Sequence, residues 1–274
     1  MKYIKIAVII AFVLSLGVFG LSRIMEIQSA DKTLPQITSD RKILEVPCDG
    51  TREQLLEGLK AYDEKDGDLT SQIVVGDFSR FIEKGICNVT YVVFDSANQS
   101  ASLTRKLKFT DYTSPRFTLS APLVYAEGAG SYEETMDRLG VVDCLDGDIR
   151  EWIIQTDTDV NYQAEGAYTM QVEVTNHYGD TVSLNLPVHV VKASQNLTIE
   201  LTNYIVYIHP GEEIHPEAYV KEVYDQEGEK LGMDIVKVDS SVRSDTPGSY
   251  EVHYQAEDER GQTGEIWLTV VVQE

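Results

Sequence analysis

The sequence predicts an all-β protein: one N-terminal transmembrane helix, then three tandem β-sandwich modules of about eighty residues each. Three observations carry that expectation. A set of landmarks recurs at a constant period, the segments between landmarks alternate apolar and polar residues, and only the first thirty residues are continuously apolar.

The N-terminal segment comes first. Ile6 to Ser22 is a run of 17 uncharged residues, preceded by Lys2 and Lys5 and followed by Arg23 and Glu26. At 1.5 Å rise per residue such a run approaches the thickness of a bilayer core. The two lysines ahead of it place the N-terminus inside and send the remainder out. A cleaved signal peptide is the rival reading, with Val18-Phe19-Gly20 a poor match to a small-x-small cleavage site. Residues 1–30 are therefore expected to be a cytoplasmic stub and signal-anchor, with 31–274 exported.

The repeat follows. Asp66-Gly67-Asp68 recurs as Asp146-Gly147-Asp148 and, degenerately, as Glu227-Gly228-Glu229, with glycines 80 and 81 residues apart. Gly85, Gly166 and Gly248 form a second landmark, 81 and 82 apart, and Asp95, Asn176 and Asp258 stand ten residues beyond each of them. Three landmarks in one order at one period define modules at 31–113, 114–192 and 193–274.

Between the second and third landmarks each module reads as a strand. Every second residue is inward: Cys87, Val89, Tyr91, Val93, then Tyr168, Met170, Val172, Val174, then Tyr250, Val252, Tyr254, Ala256. The next strand repeats the pattern with Val182, Leu184, Leu186, Val188 and with Ile266, Leu268, Val270, Val272. Turn residues separate the two strands at Ser96-Ala97-Asn98, at 177–180 and at Glu259-Arg260-Gly261. Thr51 with Gln54, and Ser131 with Glu134, read as capping boxes that open short helical turns. The linkers at 111–115 and 192–196 are short and not Gly/Ser-rich, which predicts little free tumbling.

At these landmarks the chain resembles bacterial immunoglobulin-like surface repeats, found in tandem on Gram-positive surface proteins and in one pesticidal crystal toxin. The family pattern runs Gly-x-x-Ala-x-Asp-x-x-Asp-Gly-Asp, then Pro-Gly-x-Tyr, then Asp-x-x-Gly-Asn. Gly58, Ala61, Asp63, Asp66, Gly67 and Asp68 match its first part, while Pro247, Gly248, Tyr250, Asp258 and Gly261 match the rest. The resemblance spans about residues 34–274 and implies immunoglobulin-like β-sandwiches with extracellular adhesive or spacing roles. It supplies no catalytic residues. Cys87 departs from the pattern's Tyr, Asn98 lacks a preceding Gly, and the third module has lost Asp-Gly-Asp.

Charge narrows the function. The chain carries 23 basic and 45 acidic residues, net −22, which argues against a nucleic-acid partner. Net charge runs −3, −9 and −12 through the three modules, so acidity rises with distance from the membrane end. This reads as solvation and repulsion from an anionic envelope.

Two candidate chemistries stand out. Asp63, Asp66 and Asp68, with Asp143, Asp146 and Asp148, supply the hard oxygen ligands that calcium takes, although the spacing is not an EF-hand. Asp-Gly is equally a turn signal in which the carboxylate caps its own backbone. Trp152 is the aromatic expected to be exposed, where it would stack on a ligand. The five histidines read as surface or turn residues. Cys48 and Cys87 share a module, and whether they bridge is left open by the sequence. No nucleophile elbow or His-Glu-x-x-His accompanies the acids, so no enzyme activity is expected. The expected partners are a cell-envelope glycan or surface protein, with the membrane engaged through the N-terminal helix.

Overall fold

The computed structural model describes residues 2–29, 33–192 and 195–273. Two of the expected module boundaries, near 30–31 and 192–193, and the linker residues Ala193 and Ser194 lie at or outside the edges of the described residues. The chain forms two compact units, Met1–Thr110 and Asp111–Glu274.

The first unit begins with one helix, Lys2–Ser29. Its stretch Val8–Met25 has a mean hydropathy of 2.2, long and apolar enough to cross a bilayer, and none of it is buried against protein. The rest of the unit is two sheets. Gln36–Ser39, Leu59–Asp63 and Gly67–Asp68 form the smaller. In the larger, Ile43–Val46 runs parallel to Ser100–Phe109, which pairs antiparallel with Ile86–Phe94, and that with Val74–Phe78. The inward residues Cys87, Val89, Tyr91 and Val93 are all buried, as the alternation predicts. Thr51 and Gln54 make both arms of a capping box on Arg52–Leu56.

The second unit contains this pair of sheets twice. Arg116–Leu119, Leu139–Asp143 and Gly147–Asp148 face Val124–Ala126, Thr181–Val191, Gly166–Thr175 and Ile154–Thr158 across one core that includes Phe117, Val141, Met170 and Leu186. Thr198–Leu201 and Val220–Tyr224 face Ile205–Ile208, Thr263–Val272, Gly248–Glu257 and Val236–Ser240 across another, around Ile199, Val223, Tyr254 and Leu268. Val124–Ala126 and Ile205–Ile208 again run parallel to the last long strand of their module. Ser131 caps Tyr132–Arg138 by accepting the Glu134 N–H. Three sandwiches of one plan thus follow the helix, as expected.

Residues that the strand pattern turns away from each core join the second and third modules. Ile205 and Val271 pack on the second module's core, and the Tyr207 hydroxyl donates to the Phe117 carbonyl at 3.1 Å. Arg116 lies over the Tyr207 ring and donates to Gln273 Oε1. Beside them the Trp267 indole is sandwiched between two imidazoles, His189 at 3.8 Å and His253 at 4.1 Å, both nearly parallel to it. Glu251 Oε1 is 2.5 Å from His189 Nε2, and Glu265 Oε2 is 2.9 Å from His253 Nε2. His189, 7% exposed, is therefore a joint residue and not the surface or turn histidine its sequence context suggested. A long strand extends past its own core and offers its end to the neighbouring sheet.

Close backbone approach fixes one glycine in this unit. A Cβ on Gly264 would stand 2.1 Å from the Leu197 carbonyl oxygen, a main-chain atom held by the Leu197 N–H to Thr263. Gly264→Ala is expected to cost about 1–3 kcal/mol, read as a lower urea midpoint with an unchanged slope.

Candidate functional site

In the first two modules the acidic corner is built by turns that meet at one end of the sandwich. Asp63 closes its strand, and its Oδ1 accepts the N–H groups of Lys65 and Asp66 at 2.8 and 3.0 Å. Asp143 does the same for Leu145 and Asp146, both at 2.8 Å. Asp225 caps Glu227 and Glu229 in the third module. Gly67 and Gly147 follow with φ of +78° and +73°, where a side chain is strained.

The second acid of each motif reaches across to the hairpin turn. Asp66 accepts the backbone N–H and the hydroxyl of Ser96, and Asp146 accepts the His177 N–H. Asp68 and Asp148 cap the short turns after them through the N–H groups of Thr70 and Arg150. Bonds from Thr70, first its hydroxyl and then its backbone, hold the Asp68 carboxyl below the ordinary carboxylate range. The hairpin is capped in turn by the third landmark: Asp95 accepts from Ala97 and Gln99, and Asp258 from Arg260 and Gln262. Gly179 and Gly261 take the left-handed position in two of these hairpins, and Asn98 takes it in the first at φ +61°.

All six acids put forward as calcium ligands are thus engaged by backbone N–H groups. Among the described residues, no three of His, Cys, Asp and Glu converge as a metal-ligand group. What sequence reading missed is the network beneath the second module's corner. Asn176 donates through Nδ2 to Asp143 Oδ2 at 3.1 Å and to the Tyr112 hydroxyl at 2.9 Å. Tyr112 and Ser114, both from the linker, donate to Asp180. Burial first, and the bond to Asp180 second, push the Tyr112 hydroxyl far above the ordinary phenol range. The linker is thereby tied to the second module. The signal in the sequence was a tyrosine in a polar linker.

Trp152 ends a single 3-10 turn, Arg150–Trp152, and is 40% exposed, as expected. The turn is held from both sides: Asp148 caps its first N–H, and Arg150 reaches the Asp137 carboxylate at 3.0 Å. The indole leans on His177, centroids 5.9 Å apart, whose own N–H goes to Asp146. The acidic corner and the tryptophan therefore form one rigid end of the second module. Val142 and Ile154, on strands of the two different sheets of this module, are also exposed.

The structure does not join Cys48 to Cys87. Cys87 is a buried thiol, which desolvation pushes up to about 11.

With this geometry in hand, the class the fold defines is a tandem immunoglobulin-like β-sandwich protein. Residues 205–272 match the bacterial surface protein immunoglobulin-like domain. The pesticidal crystal protein Cry22Aa of Bacillus thuringiensis is 29% identical over 219 residues, covering 78% of this chain and 29% of the toxin. An uncharacterized 81.3 kDa protein of Acholeplasma phage L2 is 30% identical over 144 residues, covering 51% of this chain and 19% of its own length. The chain thus spans less than a third of either relative. Among solved structures, the Clostridium perfringens ZmpB M60 catalytic domain with its CBM51 domains matches 89% of this chain and 31% of its own. That match has 12% identity and a TM-score of 0.24. The protocadherin GammaB4 extracellular domain matches 89% and 50%, with 14% identity and a TM-score of 0.20.

Proposed function

We propose that this is a non-catalytic, single-pass surface protein that binds or adheres at the bacterial cell envelope, its three modules displayed outside the membrane. The Lys2–Ser29 helix is the anchor, and the lysines ahead of its apolar stretch orient it. The ligand class is an envelope glycan or a neighbouring surface protein.

The observation that carries this reading is Trp152. A large aromatic on a turn pinned by Asp148 and the Arg150–Asp137 pair is a pre-organised platform, because its fixed pose leaves little rotamer entropy to lose on contact. Sugar rings and apolar side chains both stack on such a face. The surface immunoglobulin-like domain at 205–272 supports the same reading.

The test is co-sedimentation of the detergent-solubilised chain with purified cell-wall polysaccharide. Trp152→Ala is expected to weaken retention about tenfold, the loss of one stacking contact of about 1.4 kcal/mol, with an unchanged melting profile. Equal retention by wild type and Trp152→Ala refutes the platform.

A further inference from the structure

The first and second modules share the main parts of their acidic corners, and one difference between them leaves a charge uncompensated. In both, the strand-end Asp caps two N–H groups, the motif's next Asp accepts the N–H after the hairpin acid, and the hairpin residue exchanges a backbone bond with the residue four on. Asp95 Oδ1 accepts the Gln99 N–H as Asn176 Oδ1 accepts the Asp180 N–H. These matched bonds superimpose Asp95 on Asn176 and Asp63 on Asp143.

In the second module the remaining atoms pair: Asn176 Nδ2 donates to Asp143 Oδ2. In the first, a carboxylate oxygen replaces that donor. Among the described residues, Asp63 Oδ2 and Asp95 Oδ2 both have no hydrogen-bond donor, and their residues are only 1% and 6% exposed. Two buried carboxylate oxygens at the positions that Asn176 Nδ2 and Asp143 Oδ2 occupy in the second module are costly without a positive charge between them. Each acid's other oxygen is already spent on two backbone N–H bonds.

We propose that Asp63 and Asp95 hold a hard divalent cation of the calcium type in the first module. The site uses the hairpin acid together with the strand-end acid, whereas Asp66 and Asp68 remain engaged by Ser96 and Thr70. Thr33 stands beside the site, its hydroxyl donating to Asp63 Oδ1 at 3.3 Å and its carbonyl accepting from Gln99 Nε2 at 2.9 Å. Hard cations take oxygen ligands in number, with water completing the shell. The second module, with Asn176, has no such site.

The test is calcium titration of the full chain in detergent, followed by calorimetric binding and by thermal unfolding in calcium or in EDTA. One calcium per chain is expected. A tenfold excess over Kd should multiply the folded-to-unfolded ratio of the first unit about tenfold. Asp95→Asn restores the second module's amide-to-carboxylate bond, so it should fold in EDTA without loss of stability and lose calcium binding altogether. Asn176→Ala should leave the stoichiometry unchanged. Absence of saturable binding, or equal binding by Asp95→Asn, overturns the proposal. So does stabilisation by acid alone, identical in EDTA, because it means that a proton fills the site.

Discussion

Arg105→Ala is expected to destabilise the first unit by about 3 kcal/mol, seen as a large drop in its urea midpoint. Arg105 is an inward residue on a core strand, 4% exposed, at the level where the other modules place Leu186 and Leu268. Its guanidinium spends its donors inside: Nε on the Tyr91 hydroxyl, and the two terminal nitrogens on Ser39 and the carbonyls of Glu57 and Leu55. It also lies over the Tyr91 ring at 4.9 Å. Alanine removes the packing and the donors together, leaving buried carbonyls with fewer partners. Arg105→Lys keeps the charge without the fork, so it should recover only part of the loss. A midpoint within experimental scatter of wild type for Arg105→Ala would refute this account.

Trp267→Ala is expected to cost about 3 kcal/mol and to uncouple the second and third modules. The indole fills the space between His189 of one sandwich and His253 of the other, each imidazole bound to a glutamate. Without it the His189 ring loses its stacking surface, and the joint retains the His189–Glu251, Tyr207–Phe117 and Arg116–Gln273 bonds with the packing of Ile205 and Val271. Because residues 111–274 form one compact unit, scanning calorimetry is expected to show one transition for them in the wild type and two in the variant. One undivided transition in the variant would mean that the remaining contacts carry the coupling. His189→Ala should move the profile in the same direction by a smaller amount.

Much of the fold was legible because the repeat is written in residues with local jobs. The strand-end acids Asp63 and Asp143, the closing acids Asp68 and Asp148 of Asp-Gly-Asp, the hairpin acids Asp95 and Asp258, and the capping residues each serve N–H groups within a few positions of themselves, so spacing along the chain reports their role. The alternating strands were legible for the same reason. What escaped depends on partners far away in sequence. Arg105 meets Ser39 and Leu55, and His189 meets Glu251 and Trp267. A charged residue at an inward position of an alternating strand was the visible sign of Arg105. His189 gave no comparable sign, since a histidine near a strand end looks the same whether solvent or another sandwich lies beyond it. At the acidic corner, the Asp95 versus Asn176 difference was visible, but its meaning required the Asn176–Asp143 bond.

In every module a short early strand runs parallel to the long last strand: Ile43–Val46 beside Ser100–Phe109, Val124–Ala126 beside Thr181–Val191, and Ile205–Ile208 beside Thr263–Val272. Tension applied along a module from its two ends pulls these neighbours in opposite directions along their length. The bonds between them are then loaded together in shear, and none can be peeled open ahead of the rest. A hairpin pulled from its open end would instead unzip one bond at a time. The topology therefore gives each sandwich a mechanical clamp against stretching, independent of what any of its surfaces binds.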